Sequence, residues 1–370
     1  MNMNMNPTND LTENRLFLLL RLALWQRNEE TTLFDGITPA EWNDIYALAL
    51  AQGVFAIAFD GACMLPKELQ PDLDCKIQWG YNVKHIEKGF AHQSGVASTI
   101  VRLFADNDIR TMIMKGISIA GYYPIPAHRQ FGDVDIYLMG DYAKGNALIA
   151  AKGARIRYDY FVHSEFVVNG INIENHETFV NARVNRTGAY VEKELEQMVA
   201  DVRPHPLIDK AYAPSPEFNA LFLTRHATWH YARECIRLRD LCDWAVFLHH
   251  EADNMDIDRV MRNLRESDLE RYASIVTEIC RKYLGLDKQL PFSAEYHDLA
   301  EQVKNDILTF ETPDKLRHLG IVSVFMHKIR NRIGRKWCYD LVVPDSFWGN
   351  IFYSLRTYLS RPLEIFRAHI

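Results

Sequence analysis

The feature that most constrains this chain is a pair of aspartates set two apart inside an apolar run, Asp133-Val-Asp135-Ile-Tyr-Leu, with Arg129 four residues upstream. On a β-strand that spacing puts both carboxylates on one face and turns Val134 and Ile136 to the other, toward a core. Two acids side by side repel each other unless a cation lies between them. The economical choice is a divalent ion held by oxygen ligands, Mg²⁺ or Mn²⁺. Upstream, Thr111-Met-Ile-Met reads as a short buried strand running into Lys115-Gly-Ile-Ser118. A glycine just after a strand, with a serine close behind, lets backbone approach a phosphate closely. Metal-binding carboxylates and a phosphate cradle on neighbouring elements point to nucleotide chemistry.

Around this core the chain alternates in character. Residues 10–105 read as helical. Thr38-Pro-Ala-Glu41 is a capping box with proline at the first helical position, opening a helix to about Gln52, and a second long helical pattern covers 71–107. Residues 106–180 read as α/β. They hold strands at 111–115 and 133–139 and a helix over 142–152 closed by Gly153. A hairpin follows, pairing 161–168 with 171–176 about Asn169-Gly170, a strong short-range hairpin signal. After Pro204 and Pro206 the pattern is helical from Ser215 onward, with breaks near 285–291, Pro313 and Pro344. The expected division is a helical region over 1–105, an α/β unit over 106–203, and a helical domain over 204–370 with a basic tail. The fold class is α+β, a small mixed sheet embedded in a largely helical chain.

The order strand, Lys-Gly, helix, Tyr-Pro-x-Pro-x-x-Arg, then Asp-x-Asp on a strand resembles the nucleotidyltransferase superfamily with the polymerase-β-type palm. More narrowly it resembles a poorly characterised bacterial branch in which Lys-Gly replaces the usual Gly-Gly or Gly-Ser. The specific part covers about 115–176, and 215–285 resembles the family more loosely. Ile117 departs from the second small residue of the glycine motif, and a loop at 122–131 lengthens the gap from Gly116 to Asp133.

The resemblance implies transfer of a nucleoside monophosphate from an NTP, such as ATP, to a hydroxyl or amine acceptor, by a two-metal mechanism. Asp133 and Asp135 are the expected metal ligands. Glu174 is the expected third carboxylate: on its strand it shares a face with Asn172 and His176, opposite Ile171 and Ile173. It can complete the metal site and accept the acceptor's proton. His176 either orients Glu174 or packs at the sheet edge. Lys115, Gly116, Ser118 and Arg129 are the expected phosphate-binding residues, lysine as a point charge and arginine as a bidentate fork. The structural alternatives are a salt bridge from Arg129 to Asp133 and a helix-capping role for Ser118. A second class of reading is a non-catalytic nucleotide-binding or protein-interaction module on the same fold. A third is a membrane-peripheral scaffold.

Other features narrow the field. The net charge of −6 argues against wholesale nucleic-acid binding. From Lys315 to the end, however, ten Lys or Arg face three acids, which is either a solvated helical face or a surface for an anionic partner. An amphipathic helix is expected over the last 25 residues, where aromatics alternate with Arg356, Arg361 and Arg367. The six cysteines include no Cys-x-x-Cys pair and fit a reducing cytoplasm. The Met-Asn repeat at the start lacks the basic segment of a signal peptide and reads as a disordered end, and no run approaches the roughly 18 apolar residues of a transmembrane helix. His226 and His230 are four apart on one helix face, but Ala227 stands where a metalloprotease needs its glutamate. They are expected to pack between helices or line the nucleotide cleft. Asp243 is expected to pair with Arg239 one turn away, or to help build the cleft.

Overall fold

The computed structural model describes residues 7–158, 162–182, 186–296, 298–309, 321–342, 347–348 and 351. The Met-Asn repeat and the last 19 residues, with their expected amphipathic helix, lie outside these. The chain begins with helices α1 (Pro7–Trp25), α2 (Pro39–Ala51), α3 (Phe55–Met64) and α4 (Leu73–Ala105). The α2 capping box forms in both directions: Glu41 N–H donates to Thr38 Oγ1 and Thr38 N–H to Glu41 Oε2. The Asp72 carboxylate caps α4 by accepting from Cys75 N–H.

Strand β1 (Thr111–Met114), the short helix α5 (Gly116–Ala120), strand β2 (Val134–Tyr137) and helix α6 (Tyr142–Ala151) follow. Next come β3 (Arg157–Tyr158), β4 (His163–Val168), β5 (Ile171–His176), α7 (Arg186–Met198), β6 (Arg203–Pro204) and β7 (Ala211–Ala213). The remaining helices are α8 (Pro216–Glu234), α9 (Leu238–Glu251), α10 (Ile257–Glu266), α11 (Glu270–Leu284), α12 (Asp298–Thr309), α13 (Ile321–Gly334) and α14 (Lys336–Val342). Gly285, at φ 68, ends α11 in the left-handed conformation. The fold is α+β.

The seven strands form one mixed sheet in the order β3-β4-β5-β2-β1-β7-β6. Asn169 and Gly170 both take positive φ (49 and 81), as a tight hairpin turn requires. The turn pairs Val168 with Ile171, and the register runs on to Glu165–Glu174 and His163–His176. Strand β2 lies parallel to β5 with Asp135 beside Glu174, and antiparallel to β1 with Met114 beside Asp135. One sheet face is apolar. Ile113, Val134, Ile136, Phe166 and Ile173 pack there with Val96, Ile100 and Phe104 of α4 and Ile149 of α6. On the other face Met112 and Met114 join a larger core that includes residues of α1, α3, α8, α9 and α11. Early and late segments meet in that core: Trp25 Nε1 donates to the Leu284 carbonyl at 2.5 Å and Arg21 to that of Tyr283.

The β1–β2 connection is fixed on several sides. His128 Nδ1 contacts Asp60 of α3 at 2.6 Å and its Nε2 contacts Glu87 of α4 at 3.1 Å. Gln93 of α4 donates to the Gly132 carbonyl at 2.6 Å. Phe131 lies so close to Gly89 that a Cβ there would sit 2.2 Å from the ring. These contacts hold the segment that ends at Asp133.

Between β6 and β7, the buried His205 accepts at Nδ1 from the backbone N–H of Leu207 and Ile208. Burial holds its pKa down to about 4, and protonating Nδ1 would set a donor against two donors. Above the unfolded-state value of about 6.5 both states are neutral. As pH falls from there toward 4, the unfolded chain takes up the proton first, so stability is lost across that window. The full effect is at most about 3 kcal/mol. His205→Asn keeps an acceptor and cannot titrate. Urea midpoints at pH 7.5, 6 and 4.5 should therefore fall more steeply for the wild type than for the variant; parallel profiles would refute the assignment.

Candidate active site

The two aspartates reach one face for the reason their spacing implies. Val134 and Ile136 are claimed by the apolar core, so Asp133 and Asp135 turn away from it. The parallel register then sets Glu174 beside Asp135. The ligand oxygens of Asp133, Asp135 and Glu174 all lie within 4.8 Å of one another. They face a cleft of about 520 Å³ between the sheet and helices α8 and α9. Lys115, Gly116 and Arg129 line the same cleft, as do His226 and Arg225 of α8.

A charge cluster this dense needs compensation, and Lys115 supplies part of it. Its ammonium lies 2.7 Å from Asp135 Oδ1 and 3.4 Å from His226 Nε2. Burial alone would lower the lysine pKa, but Asp135, Asp133 and Glu174 together hold it above its ordinary value. Burial would raise Asp135, yet Lys115 and His176 hold it well below the usual carboxylate range. Glu174 goes the other way. Burial, then Asp135 and Asp133, push it far above that range, and it shares a hydrogen bond with Asp133. One ammonium therefore stands against three clustered carboxylates, and the mutual repulsion shows as Glu174's strong hold on its proton. A divalent cation displaces such a proton, and an all-oxygen set suits Mg²⁺ or Mn²⁺. These three residues therefore fit a hard metal ion.

Lys115 reaches this place through an unusual backbone. Its φ of 38° and ψ of −149° lie in a region nearly reserved for glycine. Such strain costs on the order of 1–3 kcal/mol and persists only where the surroundings enforce it. Gly116, also at φ 38, follows and opens α5. Ser118 is buried and does not line the cleft; its hydroxyl donates to the Ile113 carbonyl at 2.5 Å, tying α5 back to β1.

Arg129 binds Asp243 of α9 through two parallel bonds, Nε–Oδ1 at 2.8 Å and Nη2–Oδ2 at 2.7 Å. Tyr123 donates to the same carboxylate at 2.6 Å. Neither a pair with Asp133 nor the one-turn pair between Asp243 and Arg239 forms. Arg239 turns instead to Asp240 and the Gln130 carbonyl. A buried fork-to-carboxylate geometry outcompetes a half-exposed pair along one helix.

Three contributors escaped the sequence reading. His163 joins the cluster because the hairpin sets it opposite His176, and the two-residue turn is the signal that could have located it. Trp229 and Arg233 of α8 also line the cleft, with the guanidinium 3.5 Å above the indole. Nothing in their local pattern separates them from a surface helix.

Removing Arg129 should leave Asp243 buried without its charged partner, which costs about 3–5 kcal/mol. Arg129→Ala should therefore shift the denaturation midpoint strongly, and Arg129→Ala with Asp243→Ala should recover part of the loss. Equal stability of the single variant and the wild type would show that the pair does not carry the connection.

No helix among the described residues is long and apolar enough to cross a membrane. The chain has no detectable match among curated proteins or solved structures. A family model described as "uncharacterised nucleotidyltransferase" matches residues 38–285, which takes in α2, the sheet with its carboxylate cluster, and the helices through α11. The chain belongs to this uncharacterised nucleotidyltransferase family.

Proposed function

We propose that the cleft binds a nucleoside triphosphate and transfers its nucleoside monophosphate to a hydroxyl or amine acceptor, releasing pyrophosphate. The observation that carries this reading is the meeting of Asp133, Asp135 and Glu174 on the cleft floor beside Lys115. Asp133, Asp135 and Glu174 are the residues that would hold Mg²⁺ or Mn²⁺, and two such ions supply charge neutralisation of the triphosphate and activation of the acceptor.

The protein groups divide the remaining work. Lys115 sets a positive charge at the floor, and Arg225 brings another from α8, on the wall facing the sheet. Together they suit a polyanion entering between sheet and helices. Gly116 leaves the backbone open where the phosphates would approach. Arg129, locked to Asp243, holds the connection that presents Asp133 and is among the residues lining the same cleft. Glu174, beside Asp135 on the neighbouring strand, would accept the acceptor's proton once a metal ion has displaced its own.

Two tests bear on this assignment. Calorimetry with Mg²⁺ and ATP should show metal-dependent binding that Asp133→Asn and Asp135→Asn abolish while the fold is kept; unchanged affinity would remove the metal assignment. Glu174→Gln should keep ATP affinity within a few-fold and lower pyrophosphate release by about 10²-fold or more, the scale expected for a lost general base. Wild-type turnover in that variant would move the base elsewhere. Binding without turnover in the wild type, across candidate acceptors, would favour a non-catalytic nucleotide-binding module.

A further inference from the structure

Beside the three-carboxylate cluster lies a second set of ligating groups with a different chemistry. The ligand atoms of His163, Glu174 and His176 also all lie within 4.8 Å of one another. His163 Nε2 is 3.8 Å from Glu174 Oε2, and His176 Nε2 is 3.9 Å from the same oxygen. The hairpin explains the convergence. His163 faces His176 across the β4–β5 ladder, and Glu174 is two residues before His176 on the same face. Glu165, opposite Glu174, brings Oε1 to 3.5 Å from His163 Nε2 as a further carboxylate within reach.

The ring nitrogens point to a ligand. Both ring nitrogens of His176 face acceptors: Nδ1 lies 3.2 Å from the Thr178 carbonyl and Nε2 lies 3.0 Å from Asp135 Oδ1. A neutral imidazole carries one hydrogen and can serve only one of them. With the hydrogen on Nδ1, the Nε2 lone pair is open to a cation held between the ring and the carboxylates. His163 Nδ1 is buried with no hydrogen-bond partner, so the ring's polar contacts are those that Nε2 makes toward the cluster. Fixing the outer nitrogen by a backbone carbonyl, as at His176, is a recurrent arrangement for metal-binding histidine.

We propose that His163, Glu174 and His176 form a second metal site, selective for a borderline transition ion such as Zn²⁺ or Co²⁺ over Mg²⁺. Two imidazoles and one carboxylate favour such ions, whereas Mg²⁺ takes oxygen ligands. Glu174 is common to both clusters and links a hard site at Asp133 and Asp135 to a softer one at the histidines. Lys115 already neutralises part of the aspartate side. The histidine side is therefore where an added cation gains new ligands.

The site shares Glu174 with the proposed nucleotide site but does not rest on that reading, since Asp133 belongs to one cluster alone. The full-length chain is titrated with Zn²⁺, and separately with Co²⁺, without nucleotide. We expect one saturable equivalent that shifts the imidazole ¹⁵N resonances of both His163 and His176, with d–d absorption for Co²⁺. His163→Ala and His176→Ala should each weaken Zn²⁺ binding by more than the roughly 10–100-fold that loss of an outer-shell partner costs. Asp133→Asn should keep Zn²⁺ affinity within a few-fold, whatever it does to Mg²⁺ and ATP. Ring resonances unmoved by saturating Zn²⁺, a His163→Ala protein that binds Zn²⁺ like the wild type, or loss of Zn²⁺ binding in Asp133→Asn would each overturn the proposal. The resonance shifts use the wild-type chain and so stand even where an alanine variant fails to fold.

Discussion

The contact between the Lys115 ammonium and the Asp135 carboxylate is the interaction on which the site depends. Asp135 is 2% exposed and lies beside two further acids. A buried charge without a partner costs several kcal/mol, so a sheet carrying this cluster needs a positive charge built into its floor. Lys115 provides it from the end of β1, the strand next to Asp135. The strained backbone at Lys115 is the cost of directing the side chain there, and the ion pair offsets it. The same residue turns the chain into α5, which Ser118 fastens back onto β1. Charge balance and chain direction are thus set at one position.

The remaining supports act at a distance from the carboxylates. The β1–β2 connection carries buried polar contacts on both sides, His128 toward α3 and α4 and Arg129 toward α9. Each contact takes its partner from a different segment, so the segment before Asp133 is held between the helices that precede the sheet and those that follow it. A loop held this way can present a carboxylate at a fixed position, which a metal site requires.

Much of this was legible from local pattern. The period of two gives the shared face of Asp133 and Asp135, and Asn169-Gly170 fixes which side of β5 Glu174 takes. The α2 capping box and the Gly285 stop were also readable, because capping and left-handed turns are local chemistry. The partner of Arg129 was not. Asp243 lies 114 residues away, and no periodicity links a loop arginine to a particular helix face. Ser118 could be read as a phosphate ligand or a cap, and the structure gives its hydroxyl to the Ile113 carbonyl through a contact that only the folded turn creates. His163 was within reach of the sequence, since the hairpin turn that orients Glu174 also fixes the residue opposite His176. The positive φ at Lys115 had no signal, because local preference gives that conformation to glycine and not to lysine.

The bonds from Trp25 to Leu284 and from Arg21 to Tyr283 have a consequence for how the chain is made. The core-facing side of α1, including Leu16, Leu20 and Leu24, cannot be covered in its final form until α11 has left the ribosome. At about 5–20 residues per second, the 259 positions between Trp25 and Leu284 take roughly 13 to 50 seconds to synthesise. Over that interval the side of α1 that meets α11 stays uncovered on the nascent chain, while its packing against α2 and α3 can form soon after those helices emerge.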